Sequence, residues 1–442
     1  MGYSLFLVFT VSYFLHLTSR VPALGFARFD LILMALIGLF IFLPRPGARG
    51  DHERFNTTNR LLWLIGMILL SLPLVQWPGS VIRFGLENYA KAAAFFFFMV
   101  ALVNTEKKLK GFMWVFILCQ TFRVIEPAYL HITTGYWGNR AYSMVGGTLT
   151  ALSRLSGAPH DVINPNQLAW VIVSTVPFLY YLGWKRGSLG KIAALFLAPT
   201  FLYALLLTGS RSGLLSLFVL FIAMMFLSPK KLKSVAFGTA LIIPLVVLVA
   251  GELSPQFKDR YLSLVDSTVP GADTVTGRIN GLKEDLSTVW NRPVFGHGLG
   301  TSKEVSANFL EGAAQPAHDL YVEILQELGI VGFILFMLYI KEIVGGLSQA
   351  KRMLTESSND HSWLGGLITA TQAWIVMDLF YSLSCFGLSS WEWYLFGGIS
   401  TVCLQLARER ASDVAEGEPA QALKRAYFKP AFDPDKGIAS PL

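Results

Sequence analysis

The chain has 442 residues, 53% of them hydrophobic and 15% charged, with a mean hydropathy of +0.50. That balance excludes an ordinary water-soluble domain, whose surface needs more charge. The formal net charge of +7 does not read as a nucleic-acid footprint, because the basic residues fall in short loops between apolar runs.

Windows of roughly 17–25 apolar residues predict about twelve spans. They run near 3–19, 28–43, 60–76, 89–104, 110–131, 167–183, 189–207, 212–228, 233–251, 319–345, 362–386 and 391–407. The predicted fold class is therefore all-α, a polytopic integral membrane protein. The first run has no basic n-region and no clear small-residue cleavage site, so it reads as a retained span, not a signal peptide. MGYSLF lacks the Ser or Thr that a myristoylation signal carries at position six.

Lys and Arg divide unequally between alternate loops. Arg45, Arg49, Arg54, Arg60, Lys107, Lys108, Lys110, Lys185, Arg186, Lys191, Lys230, Lys231, Lys233, Lys351 and Arg352 lie in one set. The other holds Arg20, Arg28, Arg83, Lys91, Arg140, Arg154 and Arg211. The richer set is assigned to the cytoplasm, with both termini inside. Two long connections, about 132–166 and 252–318, then lie outside. The chain divides into spans one to nine over 1–251, the large outer loop over 252–318, the last three spans over 319–407 and a polar, partly disordered cytoplasmic tail over 408–442. The large loop contains a helix-compatible stretch, TGRINGLKEDLSTVWNRP, with Thr276 as cap and Pro293 as terminator. A glycine-rich turn, VFGHGLGTS, follows.

Cys119, Cys385 and Cys403 lie in apolar spans with no framework spacing, which points to neither disulfides nor zinc. No Asp-x-Asp falls on the presumed outer face; the only one, Asp433-Pro434-Asp435, is in the tail. No metal and no cofactor is expected.

Three polar features stand at the outer side. The first is TGSRSG, Thr208–Gly213, where Arg211 and the hydroxyls of Ser210 and Ser212 offer a cation and donors in a compact turn. Gly209 and Gly213 allow close approach of a ligand. This suits a phosphate; the plain alternative is an arginine reaching to lipid headgroups. The second is Arg278 on the loop helix, otherwise a solvated surface residue like nearby Lys283, Glu284 and Asp285. The third is His318 with Asp319, where the large loop returns to the membrane. His318 can serve as a general base or simply as an interfacial residue; His297 in GHGLG is its rival. Glu323 and Glu327 follow on the same helix and need partners, with Arg211 and Arg278 as candidates. Arg154 is a third possible cation. His160 and Asp161, before Asn164-Pro165-Asn166, form either a capped helix start or an acceptor-binding corner. Arg123 and Glu126 are spaced to pair with each other, or else line the substrate cavity. Asp378 needs a partner, with Arg123 as one candidate. Trp77, Trp137, Trp391 and Trp393 are placed at membrane interfaces, with stacking on a sugar as the alternative.

Together these motifs resemble the O-antigen ligase and O-antigen polymerase superfamily. The resemblance rests on the arginine turn Thr208–Arg211, on Arg278 with Trp290 and Pro293 downstream, and on RLSGAPHDVINPNQLAW from Arg154 to Trp170. Its most specific piece is HDLYVEILQELGIVG, headed by His318. The sequence departs where Asp319 stands in place of the Asn of many relatives, and in a fairly short stretch between Arg278 and His318. The resemblance implies a GT-C-like glycosyltransferase of the bacterial inner membrane, working at its periplasmic face. The donor it implies is a glycan on undecaprenyl diphosphate, and the acceptor a sugar hydroxyl on another glycan or on lipid A-core. Arg211 and Arg278 would hold the diphosphate and His318 would act on the acceptor, with Ser210, Arg154, His160 and Asp319 as further binding residues. Ligase and polymerase stay open. A transporter of lipid-linked anionic saccharides is the competing class; it would place polar groups at the midplane and show internal symmetry.

Overall fold

The computed structural model describes residues 1–42, 55–138, 142–145, 148–151, 153–161, 163–184, 187–228, 261, 273–310, 317–356, 362–385 and 387–427. Helices dominate. In chain order they are α1 (Gly2–Leu15), α2 (Leu17–Arg20), α3 (Pro22–Phe26), α4 (Phe29–Phe42), α5 (Asn56–Ser71), α6 (Pro78–Ser80), α7 (Leu86–Leu102), α8 (Glu106–Thr134), α9 (Pro165–Phe178), α10 (Ser188–Thr208) and α11 (Arg211–Leu227). Then come α12 (Asp273–Val289), α13 (Ser302–Phe309), α14 (Leu320–Glu356), α15 (Trp363–Tyr381) and α16 (Trp391–Tyr427). A helix stands at each expected span except the one near 233–251, which lies outside the described residues. Among the described residues, three helical segments are long and apolar enough to cross a membrane: Ser188–Thr208, Leu320–Glu356 and Trp363–Ser384. The loop helix starts at Asp273 rather than at Thr276 and ends at Val289, four residues before Pro293. One element was not expected: a two-stranded antiparallel hairpin, β1 (Tyr142–Val145) and β2 (Thr148–Ala151), with Tyr142 opposite Ala151. Gly146-Gly147 between two short β-branched or aromatic runs is a hairpin signal that a hydropathy window averages away.

α16 packs along α7 and α14, α11 along α15, and α14 along α5. Lipid tails give little drive for apolar helices to associate, so shape and ring contacts hold them. Trp374 is central: its ring meets Phe396 at 4.5 Å, Phe178 at 5.4 Å and Phe116 at 5.7 Å. Trp391 joins it, edge-on to Phe14 at 4.6 Å. Each such pair contributes about 0.5–1.5 kcal/mol beyond burial. Trp391 and Trp393 are buried, which corrects their expected interfacial placement. They face inward because the first turn of α16 is enclosed by neighbouring helices.

The long helix α14 is broken at Gly329, whose backbone sits at φ 65° and ψ −168°. A break frees backbone groups that apolar surroundings cannot satisfy. Here the glycine-rich turn satisfies them. The amides of His297 and Gly298 donate to the carbonyls of Gln326 (2.8 Å) and Glu327 (2.9 Å). In return the amides of Ile330 and Val331 donate to Pro293 (2.8 Å) and Val294 (3.3 Å). The Glu327 carboxylate accepts from the amides of Gly300 (2.7 Å) and Ser302 (3.2 Å), fixing the start of α13. The two motifs GHGLGTS and QELGIVG are thus the two halves of one clasp.

A methyl group at Gly329 would enter the Val294–Phe295 peptide, at a φ/ψ combination reserved for glycine. Gly329→Ala is expected to cost on the order of 3 kcal/mol, read as a lowered thermal midpoint in detergent. Gly345→Ala, on the same helix with open space around it, is expected to leave that midpoint level or slightly higher.

Candidate functional site

The turn between α10 and α11 is built by its own side chains. Gly209 takes the left-handed conformation (φ 56°) that ends α10. Ser210 starts α11 by accepting the Gly213 amide at 3.1 Å, and its hydroxyl lies 3.3 Å from that of Ser212. Arg211 is the first residue of α11, with 8% of its surface exposed. Gly213 serves packing rather than ligand approach: a Cβ there would fall 2.5 Å from that of Ala169 on α9. Its expected role at a ligand is corrected accordingly.

Arg154 is brought to this turn. Its Nε donates to the Thr208 carbonyl (2.6 Å) and a terminal nitrogen to Asn166 Oδ1 (2.8 Å). The Leu155 amide donates to Leu207 (2.8 Å). The stretch 153–166 is therefore tied to the end of α10 at one side and to the start of α9 at the other. There Asn164 and Gln167 form a reciprocal capping box with Pro165 at the first helical position. His160 is exposed at the tip of the turn, while Asp161 enters the interior.

Asp161 is the partner of Arg123. Two parallel bonds join them, at 2.8 and 3.1 Å, and Gln120 accepts a third bond from Arg123 at 3.0 Å. Glu126 pairs instead with Arg20, in bidentate form, one bond at 2.7 Å. The expected Arg123–Glu126 pair is thus replaced by two longer-range pairs, each joining α8 to another segment. Asp378 is held not by Arg123 but by Trp170, whose indole donates to it at 2.6 Å.

Glu323 and Glu327 are not answered by arginines among the described contacts. Glu323 accepts the amides of Gly387 (2.7 Å) and Leu388 (2.9 Å), as Glu327 does those of Gly300 and Ser302. Backbone donors solve the burial of these acids where loops end near the helix.

Asp319 caps α14, accepting the amides of Tyr321 (2.8 Å) and Val322 (3.0 Å). His318, one residue earlier, is exposed. Its own amide donates to the carboxylate of Asp285. Asp285 looks like ordinary surface charge in the sequence, yet burial pushes its carboxyl above the usual range, offset partly by Gln326 and by that amide. Gln326 also donates to the Asp285 carbonyl (3.0 Å) and to Thr288 Oγ1 (2.9 Å). The three-residue spacing of Asp285 and Thr288 marks one helix face and was the signal available. α12 is thereby docked on α14 beside His318. Position 278 lies two turns earlier on α12; the Arg278 side chain is outside the described residues.

His297 is fully buried. Its Nε2 lies 3.2 Å from the Thr288 carbonyl and its Nδ1 2.8 Å from the Gln76 amide, with Trp77 stacked at 5.7 Å. Both nitrogens are engaged in holding the clasp, so the ring is placed as a structural tie. Burial lowers its pKa below the usual imidazole value, with Arg292 adding to the effect. Glu87, Glu126 and Asp161 are each ion-paired, to Lys91, Arg20 and Arg123. No metal-holding cluster of three or more His, Cys, Asp or Glu occurs among the described residues.

These features define a helical membrane protein whose loop helix docks on a clasped, broken helix and whose arginine turn is tied to the stretch before α9. Residues 192–337 match the family model described as O-antigen ligase, which supports the O-antigen ligase/polymerase superfamily and indicates a glycosyltransferase-type enzyme. The match covers the arginine turn, position 278, His318 and the break at Gly329. No curated protein matches the chain.

Two outcomes are expected. Arg123→Met and Asp161→Asn each leave a buried charge or dipole unpaired, costing about 3 kcal/mol. The double variant Arg123→Met/Asp161→Leu recovers most of that loss, a coupling that thermal melts of the four proteins measure. His297 favours its neutral form when folded, so its contribution is complete above the ordinary imidazole pKa of about 6.5 and fades as pH falls below it. The thermal midpoint of wild type therefore drops more between pH 7 and pH 5 than that of His297→Gln.

Proposed function

We propose that this protein transfers a glycan from a lipid diphosphate to an acceptor sugar hydroxyl at the outer face of the bacterial inner membrane. The carrier in this reading is undecaprenyl diphosphate, and the chain crosses the bilayer about twelve times. The observation that carries the proposal is the O-antigen ligase match over 192–337, which contains Arg211, Arg278 and His318 together.

The chemistry follows from charge. The bond between the anomeric carbon and the diphosphate oxygen breaks, and the leaving group takes the electron pair. Guanidinium groups at positions 211 and 278 stabilise that developing charge; at 4 Å and an effective dielectric near 20 such a pair is worth about 4 kcal/mol before desolvation. The acceptor oxygen forms the new bond to the anomeric carbon, and its proton passes to His318. The exposure of His318 and its attachment to α12 through Asp285 support that role. Attack from the face opposite the diphosphate inverts the anomeric centre. In this reading Arg154 and Ser210 shape the arginine turn, while His160 and Asp319 border the acceptor and the base.

Reconstitution with an undecaprenyl diphosphate glycan and two acceptors, lipid A-core and a second lipid-linked repeat unit, tests the reading. Arg211→Ala and Arg278→Ala are each expected to lower transfer at least a hundredfold with membrane expression intact, and chelation is expected to leave transfer unchanged. His318→Ala keeps donor binding and stops turnover. Movement of the lipid across the bilayer without any glycosidic product would replace the transferase by a transporter.

A further inference from the structure

A cavity of about 590 Å³ lies between α1, α4, α7, α8 and the start of α9, within the ~300–1,000 Å³ range of small-molecule sites. Its lining includes Arg123 and Trp391, and neither Arg211 nor His318. Its polar wall contains Arg28, Asp30, Glu87, Lys91, Arg123 and Gln167; its apolar wall includes Trp391 and Tyr13.

The charges of this wall balance. Lys91 bonds Glu87 at 2.7 Å. Arg123 is neutralised by Asp161 just behind the wall. Arg28 and Asp30 complete the count with one charge of each sign, and the Asp30 carboxylate accepts the hydroxyls of Ser12 (2.5 Å) and Thr18 (3.5 Å). A diphosphate calls for surplus positive charge, and this cavity has none. Paired carboxylates and cations instead present alternating acceptors and donors at fixed positions, which suits hydroxyl groups, each both donor and acceptor. An aromatic wall suits the C–H faces of a sugar ring. Polar groups in an otherwise apolar helix bundle are costly without a use.

The cavity is also joined to the arginine turn. Asp161 and Gln167 serve the cavity side of one short stretch, and Asn166, between them, is held by Arg154, which holds the Thr208 carbonyl.

We propose that this cavity is an uncharged-saccharide site that seats a part of the acceptor glycan away from the reacting hydroxyl, since His318 does not line it, a proposal that rests on the transferase reading above. Two variants test it. Leu31→Trp fills the cavity from α4, and Lys91→Ala removes one donor while leaving a surface ion pair as the sole lost contact.

The probe for direct binding is the pool of phosphate-free oligosaccharides released by acid from the envelope glycans of the source organism. Saturation-transfer NMR on the full-length protein in detergent reads it. Wild type is expected to show saturation transfer that inorganic pyrophosphate does not displace, and both variants to weaken it at least tenfold. In the transfer assay the variants raise acceptor KM at least tenfold, with donor KM within twofold of wild type.

Absence of saccharide binding in wild type, undiminished binding in both variants, displacement by pyrophosphate, or a rise in donor KM in place of acceptor KM each overturns the site. Saccharide binding that the variants abolish, in a protein that transfers nothing, sinks the transferase reading while leaving the saccharide site standing.

Discussion

The break in α14 is the constraint around which the rest of the structure is arranged. A helix interrupted among apolar neighbours exposes carbonyls and amides that must find partners within the protein. Gly329 creates the interruption, and the glycine-rich turn Pro293–Gly298 supplies the partners on both sides of it. This exchange fixes the large loop against the helix bundle. It sets α13 on the carboxylate of Glu327 and α12 on Gln326, and so determines where His318 emerges. Remove the exchange and the loop has no reason to hold any one position.

The same economy governs the acidic residues. Glu323 and Glu327 sit in the interior, where an ionised carboxylate is expensive. Each takes two backbone amides from a loop that ends beside it, which turns a liability into a fastening point. Ion pairs appear instead where α8 meets α2 and the stretch before α9, through Arg20–Glu126 and Arg123–Asp161.

Much of the helical framework was legible because its signal is local. Apolar runs and turn residues lie side by side in the chain, and a helix stands at each expected span that the structure describes. The arginine turn was legible for the same reason, since Gly209 and Ser210 carry their own cap chemistry. Pairings were not. Arg123 and Glu126 sit three residues apart, and spacing alone favours their union; the fold turns their side chains to partners 38 and 106 residues away. The clasp was written as two glycine-rich motifs whose complementarity emerges only when they lie in register. Trp391 and Trp393 were misplaced because hydropathy tells where a span ends, not which neighbours enclose its first turn. The sequence let Arg123 line a cavity, but the balanced wall beside α1 was not legible because its charges come from separate segments, residues 28–30, α7, α8 and the stretch before α9.

The length of α8 has its own consequence. From Glu106, which pairs with Arg410, the helix climbs almost five turns to Arg123, about 26 Å at 1.5 Å per residue. Its ionic fastenings consequently fall at two levels of the helix bundle, one at the first turn of α8 and one almost five turns on. The helix acts as a spacer bar: it fixes the height at which the stretch 153–166, and with it the arginine turn, stands relative to the opposite surface.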